Sequence, residues 1–273
     1  MTEEAELFPV IKAQGNTTEF SVEYVVEESP LTLFFNDEEI GTILCSPSQL
    51  EELALGFLYM EGFIRSYQDV LSLRYDSSLQ AIWVNGSSPL GTPNLMNKRL
   101  FSACCGKSRS SFTFSNDTDL AKIQTSNTVV SLQEVYNYAE YLQNHLPLFK
   151  STGGIHSGGI AFQEKVLFTS YDIGRHNVFD KLSGSALKSR LDLRDHVLFF
   201  SGRVSSEILL KVSKMNIPIL IARSAPTDMA LRLARRLCIT VIGFARGDRL
   251  NVYTCPERIN LPKVEVPTIL GEY

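Results

Sequence analysis

Short apolar runs alternate with amphipathic stretches through the second half of the chain, and this alternation limits the possible folds more than any other feature. The apolar runs are strand-sized, whereas the stretches between them repeat apolar residues at helical spacing. Such alternation predicts an α/β domain with a largely parallel sheet and right-handed crossovers. The predicted strands are 165–170, 196–201, 217–222, 239–244 and 250–254, and the predicted helices are 175–187, 205–215 and 226–237.

The first half has a different pattern of short strands and few helices. Strands are predicted at 18–26, 31–35, 40–45 and within 66–84, and helices at 50–61 and 132–145. The segment 46–49 offers N-cap chemistry for the first helix, and Gly62 can end it. The Gly-rich segment 151–159 predicts a special turn. We therefore expect a smaller α+β region over 1–125 and an α/β domain over 126–273, although the N-terminal strands can instead join the main sheet.

Composition narrows the classes of function. The 273 residues carry a formal net charge of −4, which disfavours DNA or RNA as a partner. The acidic start is unlike a secretory or organellar signal, and no apolar run approaches the ~20 residues that span a bilayer, so we expect a cytoplasmic protein without a membrane role. The odd number of cysteines argues against a disulfide framework, and Cys45, Cys238 and Cys255 are interpreted as small buried hydrophobic residues.

Arginine follows three of the predicted strands, at the edge where open α/β sheets bind ligands. Guanidinium groups and helix N-termini both favour phosphate, so these strand ends predict a phosphate or pyrophosphate site. Asp248 could accept a hydrogen bond from a nucleobase or ribose. The residues at these strand ends are Ser201, Gly202, Arg203, Ser205, Arg223, Ser224, Arg246 and Arg249.

A second polar segment joins a predicted strand to a helix at 171–181. Asp172, Arg175 and His176 fall within it, and His156 lies in the Gly-rich segment before it. Polar side chains at such junctions converge on clefts, so these residues are candidates for ligand contact or proton transfer.

The adjacent Cys104 and Cys105 lie in a Lys- and Arg-rich stretch, predicted to be a mobile loop over 99–112. Nearby cations favour thiolate over thiol, and Gly106 allows bending, so the pair is a candidate nucleophile and sulfur acceptor. A zinc site is disfavoured because zinc-binding cysteines are usually spaced Cys-x-x-Cys and no second pair is present. No metal is predicted.

Together these segments resemble the FdhD/NarQ family of formate dehydrogenase accessory sulfurtransferases. The resemblance runs through nearly the whole chain in order, and the stretch from Asp172 to Asn177 is its most specific part. The matching stretches are 53–58, 61–62, 105–107, 152–156, 172–177, 180–181, 201–203 and 244–249.

The resemblance implies a three-layer α/β/α sandwich similar to cytidine deaminases, with a smaller N-terminal domain and a homodimeric assembly. It also implies that a cysteine desulfurase donates sulfur to a loop cysteine as a persulfide. The sulfur then passes to a molybdenum or tungsten bis(guanine dinucleotide) cofactor destined for formate dehydrogenase. The cofactor-binding stretch carries over as Phe244, Ala245, Arg246, Gly247, Asp248 and Arg249.

The cysteine segment departs from the family pattern Cys-x-x-Cys-Gly. In ungapped register Cys105 takes the second cysteine position and Ser102 the first, whereas a two-residue deletion matches Cys104 to the first. Either cysteine is therefore a candidate carrier. Deamination is disfavoured because the chain lacks the His-x-Glu and Pro-Cys-x-x-Cys zinc motifs. A non-catalytic chaperone that binds the cofactor is the alternative, and accumulation of sulfane sulfur separates the two.

Overall fold

The structure, a computed structural model, describes residues 5–87, 99–101, 125–144 and 152–262. The strands are β1 Ala5–Gln14, β2 Thr17–Val26, β3 Ser29–Phe35, β4 Glu38–Cys45, β5 Val70–Asp76, β6 Ala81–Gly86, β7 Arg99–Phe101, β8 Val130–Ser131, β9 His156–Phe162, β10 Lys165–Asp172, β11 Val197–Phe200, β12 Ile219–Ala222, β13 Thr240–Arg246, β14 Arg249–Val252 and β15 Ile259–Asn260. The α-helices are α1 Leu50–Glu61, α2 Leu132–Asn144, α3 Arg175–Lys188, α4 Ser206–Lys214 and α5 Asp228–Arg236.

The central sheet is mixed rather than largely parallel. Its six strands run in the order β10-β9-β11-β12-β13-β14, and only β11, β12 and β13 are parallel neighbours. The predicted parallel sheet is wrong at both sides because β9–β10 and β13–β14 are hairpins with two-residue connections, which allow only antiparallel pairing. Gln163 and Glu164 connect β9 to β10 with positive φ angles of 47° and 65°, as hairpin turns of this length require.

The predicted turn at 151–159 is also wrong, because its second half forms the buried strand β9. Packing against the neighbouring strand explains why glycine occurs in β9. A Cβ atom on Gly159 would lie 2.3 Å from Phe199 Cζ, and one on Gly158 would lie 3.1 Å from the Phe199 carbonyl oxygen. The missing side chains let β9 lie directly against β11, which outweighs the low strand propensity of glycine.

Helices cover both faces of the central sheet. In β11, Leu198 and Phe200 pack with α3, α4 and α5 on one face. Val197 and Phe199 point to the other face, where the Tyr138 ring of α2 stacks on Phe199 with ring centroids 5.4 Å apart. The expected three-layer α/β/α arrangement is confirmed.

A separate five-stranded sheet, in the order β5-β6-β3-β4-β7, lies beside this sandwich with α1 packed between it and α3. The two helices approach closely, since a Cβ atom on Gly56 would lie 1.7 Å from the Asp180 carbonyl oxygen. Helix α1 ends at Gly62, as predicted, with φ at 82°. Its start differs: Gln49 is the N-cap residue and makes no side-chain capping bond. The division of the chain at residue 125 stays a prediction.

Among the described strands, β1 and β2 pair only with each other, as an antiparallel ribbon. The first three residues of the predicted 99–112 loop form β7 instead, paired in parallel with β4. Within the described ranges, no helix is both long and apolar enough to cross a membrane.

Candidate functional site

Four strand ends and two strand starts, those of β9 and β14, meet at a single edge of the central sheet, which we call the rim. Strands β11, β12 and β13 end there because they are parallel. Strand β10 ends there at Asp172, which pairs with His156 at the start of β9. Helices α3, α4 and α5 begin just after β10, β11 and β12, so their N-terminal amides also lie at this edge. Ser205 and Thr227 cap α4 and α5 through their side-chain oxygens.

Serine side chains hold the backbone that follows β11 and β12. The Ser157 N–H donates to Ser201 Oγ over 2.9 Å, and Ser224 Oγ donates to the Ser201 carbonyl oxygen over 3.2 Å. Gly202 follows directly. A Cβ atom there would lie 2.7 Å from the Phe200 ring and 3.0 Å from His156 Nδ1. The chain therefore passes close to the His156 imidazole only because residue 202 is glycine.

The rim concentrates positive charge. Arg203, Arg246 and Arg249 are exposed and Arg223 is half-buried. Arg246 Nε donates to the Arg223 carbonyl oxygen over 3.0 Å, and burial together with the Arg246 charge lowers the pKa of Arg223. In the part of the chain that the structure describes, no carboxylate forms an ion pair with any of the four. Unneutralised guanidinium groups at one edge are suited to bind an anion.

The segment Phe244–Arg249 is a hairpin end, whereas the predicted strand stopped at Phe244 and left the residues from Ala245 on in the following loop. Strand β13 continues to Arg246, which pairs with Arg249 across a two-residue turn containing Gly247 at φ 57°. Like charges directly opposite each other destabilise a β-pair, so this placement favours a bound anion. Asp248 is exposed in the turn, and Ala245 is fully buried against the α2 face of the sheet.

Phe244 lies in a β-bulge between Gly243 and Arg246 with φ at 54°, and the residue is 45% exposed. A bulky residue in the left-handed region carries backbone strain, and such strain clusters at functional sites. The bulge turns the aromatic ring outward beside the arginines.

Two histidines stand beside the arginines. Burial lowers the pKa of His156, and the charges of Arg175 and Arg203 lower it further against the opposing effect of Asp172. Burial likewise lowers the pKa of His176, although its Nε2 lies 3.0 Å from Glu207 Oε2. Both imidazoles are therefore neutral near pH 7 and can accept protons.

Arg175 opens α3, and its Nε is buried without a hydrogen-bond partner among the described residues. An unsatisfied guanidinium nitrogen is costly unless a ligand or water supplies an acceptor. Glu207, in the first turn of α4, was not singled out from the sequence. Acidic residues in a first helical turn usually indicate interaction with the helix dipole, and only the fold shows Glu207 next to His176.

Asp172 is fully buried, unlike the other charged candidates. Its carboxylate accepts hydrogen bonds from the Gly174 and Ser46 amides and from Asn177 Nδ2, and it lies 2.7 Å from Lys181 Nζ. These partners saturate its oxygens, so Asp172 orders the backbone beneath His156. Direct contact of Asp172 with a ligand stays a prediction.

Cys104 and Cys105 lie outside the described residues. The described chain approaches them through β7, where Phe101 pairs with Ile43 of β4. Strand β4 continues to Cys45, and the next residue, Ser46, bonds to Asp172 and Ile173 at the rim. Since β7 runs parallel to β4, the chain leaves β7 at the end of the five-stranded sheet that adjoins the rim.

Known proteins match this chain over most of its length. The profile of the FdhD/NarQ family matches residues 26–260. A protein of Halalkalibacterium halodurans named "Sulfur carrier protein FdhD" is 46% identical over 89% of this chain and 90% of its own length. A protein of the same name from Staphylococcus haemolyticus is 43% identical over 86% of this chain and 89% of its own length.

A solved structure has the same fold. The crystal structure of a chain described as a formate dehydrogenase accessory protein from Desulfotalea psychrophila aligns with a TM-score of 0.78, covering 94% of this chain and 99% of its own. Its sequence identity is 24%, so it supports the fold alone. With the family profile covering most of the chain and relatives this similar, the chain belongs to the FdhD/NarQ family.

Proposed function

We propose that this chain is a sulfurtransferase that matures formate dehydrogenase. It carries sulfur as a persulfide on Cys104 or Cys105 and delivers it to a molybdenum or tungsten bis(guanine dinucleotide) cofactor bound at the rim. The observation that carries the proposal is the rim itself, where unpaired arginines, helix N-termini and neutral imidazoles converge beside the strand that leads to the cysteines. The names of the relatives support sulfur carriage.

The rim suits a guanine dinucleotide. Arg223 and Arg246, joined through the Arg246 Nε bond, would bind the pyrophosphate, assisted by the helix N-termini. The exposed Phe244 ring offers a face on which a nucleobase can stack, and such stacking is sequence-tolerant for all bases. Asp248 would accept hydrogen bonds from the guanine or ribose. Arg203, Arg249 and Arg175 supply further donors at the same edge.

The short length of chain between β7 and the cysteines supports one site that combines the cysteines with the rim. Cys104 follows Phe101 by three residues, a stretch that spans at most about 11 Å when extended. Phe101 pairs beside Ile43, and three residues after Ile43 the chain bonds to Asp172. The strand that leads to the cysteines therefore ends close to the rim.

The chemistry balances with two thiols. The thiolate of Cys104 or Cys105 attacks the terminal sulfur of the persulfide on the desulfurase; the donor's S–S bond breaks, a new S–S bond forms on this chain, and the donor leaves as thiolate. This step moves a neutral sulfur atom without net oxidation. Release to the cofactor as sulfide needs two electrons, which the neighbouring thiol or an external thiol supplies by forming a disulfide with the carrier.

Rim residues would manage the protons of this transfer. His176, oriented by Glu207, and His156 are neutral and can accept a proton when the carrier regenerates its thiolate. Asp172 acts as a positioning residue, because its buried hydrogen bonds fix the backbone on which both histidines depend.

The partners follow from this chemistry. A cysteine desulfurase would donate the sulfur, formate dehydrogenase would receive the sulfurated cofactor, and all three would meet in the cytoplasm. A homodimer is part of the proposal, in keeping with the family resemblance.

Complementation tests the proposal. A bacterial host that lacks its own FdhD-family gene is given this chain, and formate dehydrogenase activity is measured in extracts. Wild type restores activity, whereas Cys104→Ala/Cys105→Ala and Arg246→Ala/Arg249→Ala do not. The matched control is Arg232→Ala/Arg235→Ala, which removes two exposed arginines from α5 and retains activity. Full activity in the cysteine double variant would overturn sulfur carriage, and full activity in the rim variant would overturn the cofactor site.

A further inference from the structure

Two of the described cysteines, Cys238 and Cys255, lie at the base of the β13–β14 hairpin. Cys238 lies between α5 and β13, and Cys255 follows β14 at the start of the short 3-10 helix Pro256–Arg258. Cys45 is buried, as expected, whereas Cys238 and Cys255 are only partly buried, so the expectation is wrong for these two. Both are free thiols, and their partial exposure gives reagents in solution access to them.

Hydrogen bonds hold the backbones of the two cysteines side by side. Thr240 Oγ1 donates to the Cys255 carbonyl oxygen over 2.9 Å, which places Cys255 beside the start of β13. Arg258 Nη1 donates to the Cys238 carbonyl oxygen over 2.7 Å, and the Arg258 amide donates to the Cys255 carbonyl oxygen over 3.4 Å. A single residue, Arg258, thus binds both cysteines.

The two thiols also interact electrostatically. Burial raises the pKa of the Cys255 thiol, the charges of Glu257 and Cys238 raise it further, and Arg258 opposes the rise. The interaction between two charges falls with distance, so the effect of Cys238 indicates that its thiol lies near that of Cys255. Disulfide formation requires such proximity, with the two Cα atoms within about 7 Å.

Both cysteines have the left-handed backbone conformation that favours glycine, with φ at 53° for Cys238 and 47° for Cys255. The Ile239 amide donates to the Ala234 carbonyl oxygen over 2.9 Å, so Cys238 lies just past α5 at the position where helices usually have glycine. A residue other than glycine is strained there, and such strain clusters at functional sites. Two neighbouring strained positions that both carry cysteine therefore indicate a role for the thiols.

We propose that Cys238 and Cys255 form a reversible disulfide that closes the base of the β13–β14 hairpin. The oxidant is a low-molecular-weight disulfide such as glutathione disulfide. One cysteine thiolate attacks the oxidant, a mixed disulfide forms, and one glutathione leaves as thiolate. The second cysteine then attacks the protein-bound sulfur of the mixed disulfide, and the other glutathione leaves. The protein loses two electrons and two protons, and the oxidant is reduced to two thiols.

The bridge would constrain the hairpin that carries part of the rim. The closed loop 238–255 contains the tip Phe244–Arg249, and β13 runs from the cysteines to that tip. At about 3.3 Å per residue the length of β13 is roughly 20 Å, so the bridge lies at the opposite edge of the sheet and leaves the rim open. The bridge is separate from Cys104 and Cys105 and does not depend on the proposed sulfur transfer.

Peptide mass spectrometry tests the bridge. Wild type and the variant Cys45→Ala/Cys104→Ala/Cys105→Ala, which keeps only these two thiols, are incubated with glutathione disulfide and then with dithiothreitol. In both we expect a linked peptide pair that contains Cys238 and Cys255 and separates on reduction. In the variant the intact mass should also fall by two hydrogen atoms. Glutathione adducts without the linked pair, or no reaction at all, would overturn the proposal.

Thermal unfolding separates a bridge that fits the fold from one that forms only by distorting it. A disulfide across a loop of this length is expected to raise the Tm of the oxidised chain by roughly 5 to 10 °C. The control Cys238→Ser has no second thiol at this site and should show no such rise. An unchanged or lower Tm in the bridged chain would overturn the proposal. Sulfur loading is expected to be normal in Cys238→Ser/Cys255→Ser, so this proposal and the proposed function fail separately.

Discussion

Lys181 Nζ lies 2.7 Å from Asp172 Oδ2, and neither side chain has any solvent exposure. Lys181 also donates to the carbonyl oxygens of Ser46 and Tyr171, while Asp172 accepts from the Ser46 amide. The pair thus joins the end of β4, in the N-terminal sheet, to the end of β10 at the rim. Strand β7, which leads to the cysteines, pairs with β4 and so lies next to this connection.

Removing one member of the pair is expected to lower the free energy of unfolding strongly. Lys181→Met leaves an uncompensated buried carboxylate, which costs about 3 to 5 kcal/mol of the free energy of unfolding. Urea denaturation measures it. The control Lys188→Met breaks ion pairs with Glu51 and Glu52 at the surface, where a loss of about 1 kcal/mol or less is expected. Equal losses in the two variants would contradict the structural role of the buried pair.

Replacing Gly56, where α1 packs against α3, is expected to destabilise the protein, although Gly→Ala within a helix normally stabilises it. At an exposed helical site, Gly→Ala stabilises by about 1 kcal/mol. At Gly56 the new methyl group would lie 1.7 Å from the Asp180 carbonyl oxygen, so Gly56→Ala must push the helices apart and cost about 1 to 3 kcal/mol. Thermal unfolding measures the change, with Ser185→Ala on the neighbouring surface of α3 as the control. A rise in Tm for Gly56→Ala would refute the close approach.

The partly buried histidines are expected to make the stability of the protein depend on pH. Burial lowers the pKa values of His156, His176 and His196 in the folded chain, whereas in the unfolded chain they titrate near the ordinary value of about 6.5. The unfolded state binds more protons below that pH, so the free energy of unfolding falls as pH drops from about 6.5 towards 5.5. Urea titrations at pH 7.5 and 5.5 measure this fall.

One variant isolates the contribution of a single histidine. His196 stacks on Phe162 with ring centroids 4.9 Å apart, away from the rim. His196→Phe keeps an aromatic ring there and removes the titrating group, so its stability should fall less on acidification than that of wild type. An identical fall would exclude His196 as a source of the pH dependence.

The rim is expected to bind guanine nucleotide without the rest of the cofactor. GDP presents both the base and the pyrophosphate, and losing one charge-assisted contact costs about 1.5 to 3 kcal/mol, or roughly 10- to 150-fold in affinity. Calorimetry with Arg246→Gln measures the loss. Arg232→Gln, an exposed arginine of α5 beside Asp228, is the control and should bind GDP like wild type. Equal affinity in both variants would place the nucleotide elsewhere.

The helices and strands of the second half could largely be predicted because each strand is a compact apolar run and each helix has a periodic face. Helix α4 runs from Ser206 to Lys214 and the prediction was 205–215. Strand β9 was missed because three of its first four residues, Ser157, Gly158 and Gly159, have low strand propensity. Glycine is needed at position 159 because the Phe199 ring packs against it, and a local sequence pattern does not show a contact with a residue 40 positions away.

At the rim, too, local patterns could be predicted from the sequence whereas contacts between distant residues could not. The arginines could be placed at one edge because they follow successive strands, and strand ends meet by topology alone. Pairings between distant segments, such as His176 with Glu207 and Asp172 with Ser46, depend on helix placement and on the packing of the N-terminal sheet. No local periodicity carries that information.

Mass spectrometry of sulfur loading tests the central claim most directly. The purified chain is incubated with a cysteine desulfurase and cysteine, and intact masses are compared for wild type, Cys104→Ala, Cys105→Ala and the control Cys45→Ala, whose thiol is buried and has its pKa raised to about 12. We expect a gain of one sulfur atom, sensitive to thiol reductant, that is retained in Cys45→Ala and lost in the variant lacking the carrier cysteine. Wild type that gains no sulfur would contradict sulfur carriage and leave a protein that only binds the cofactor.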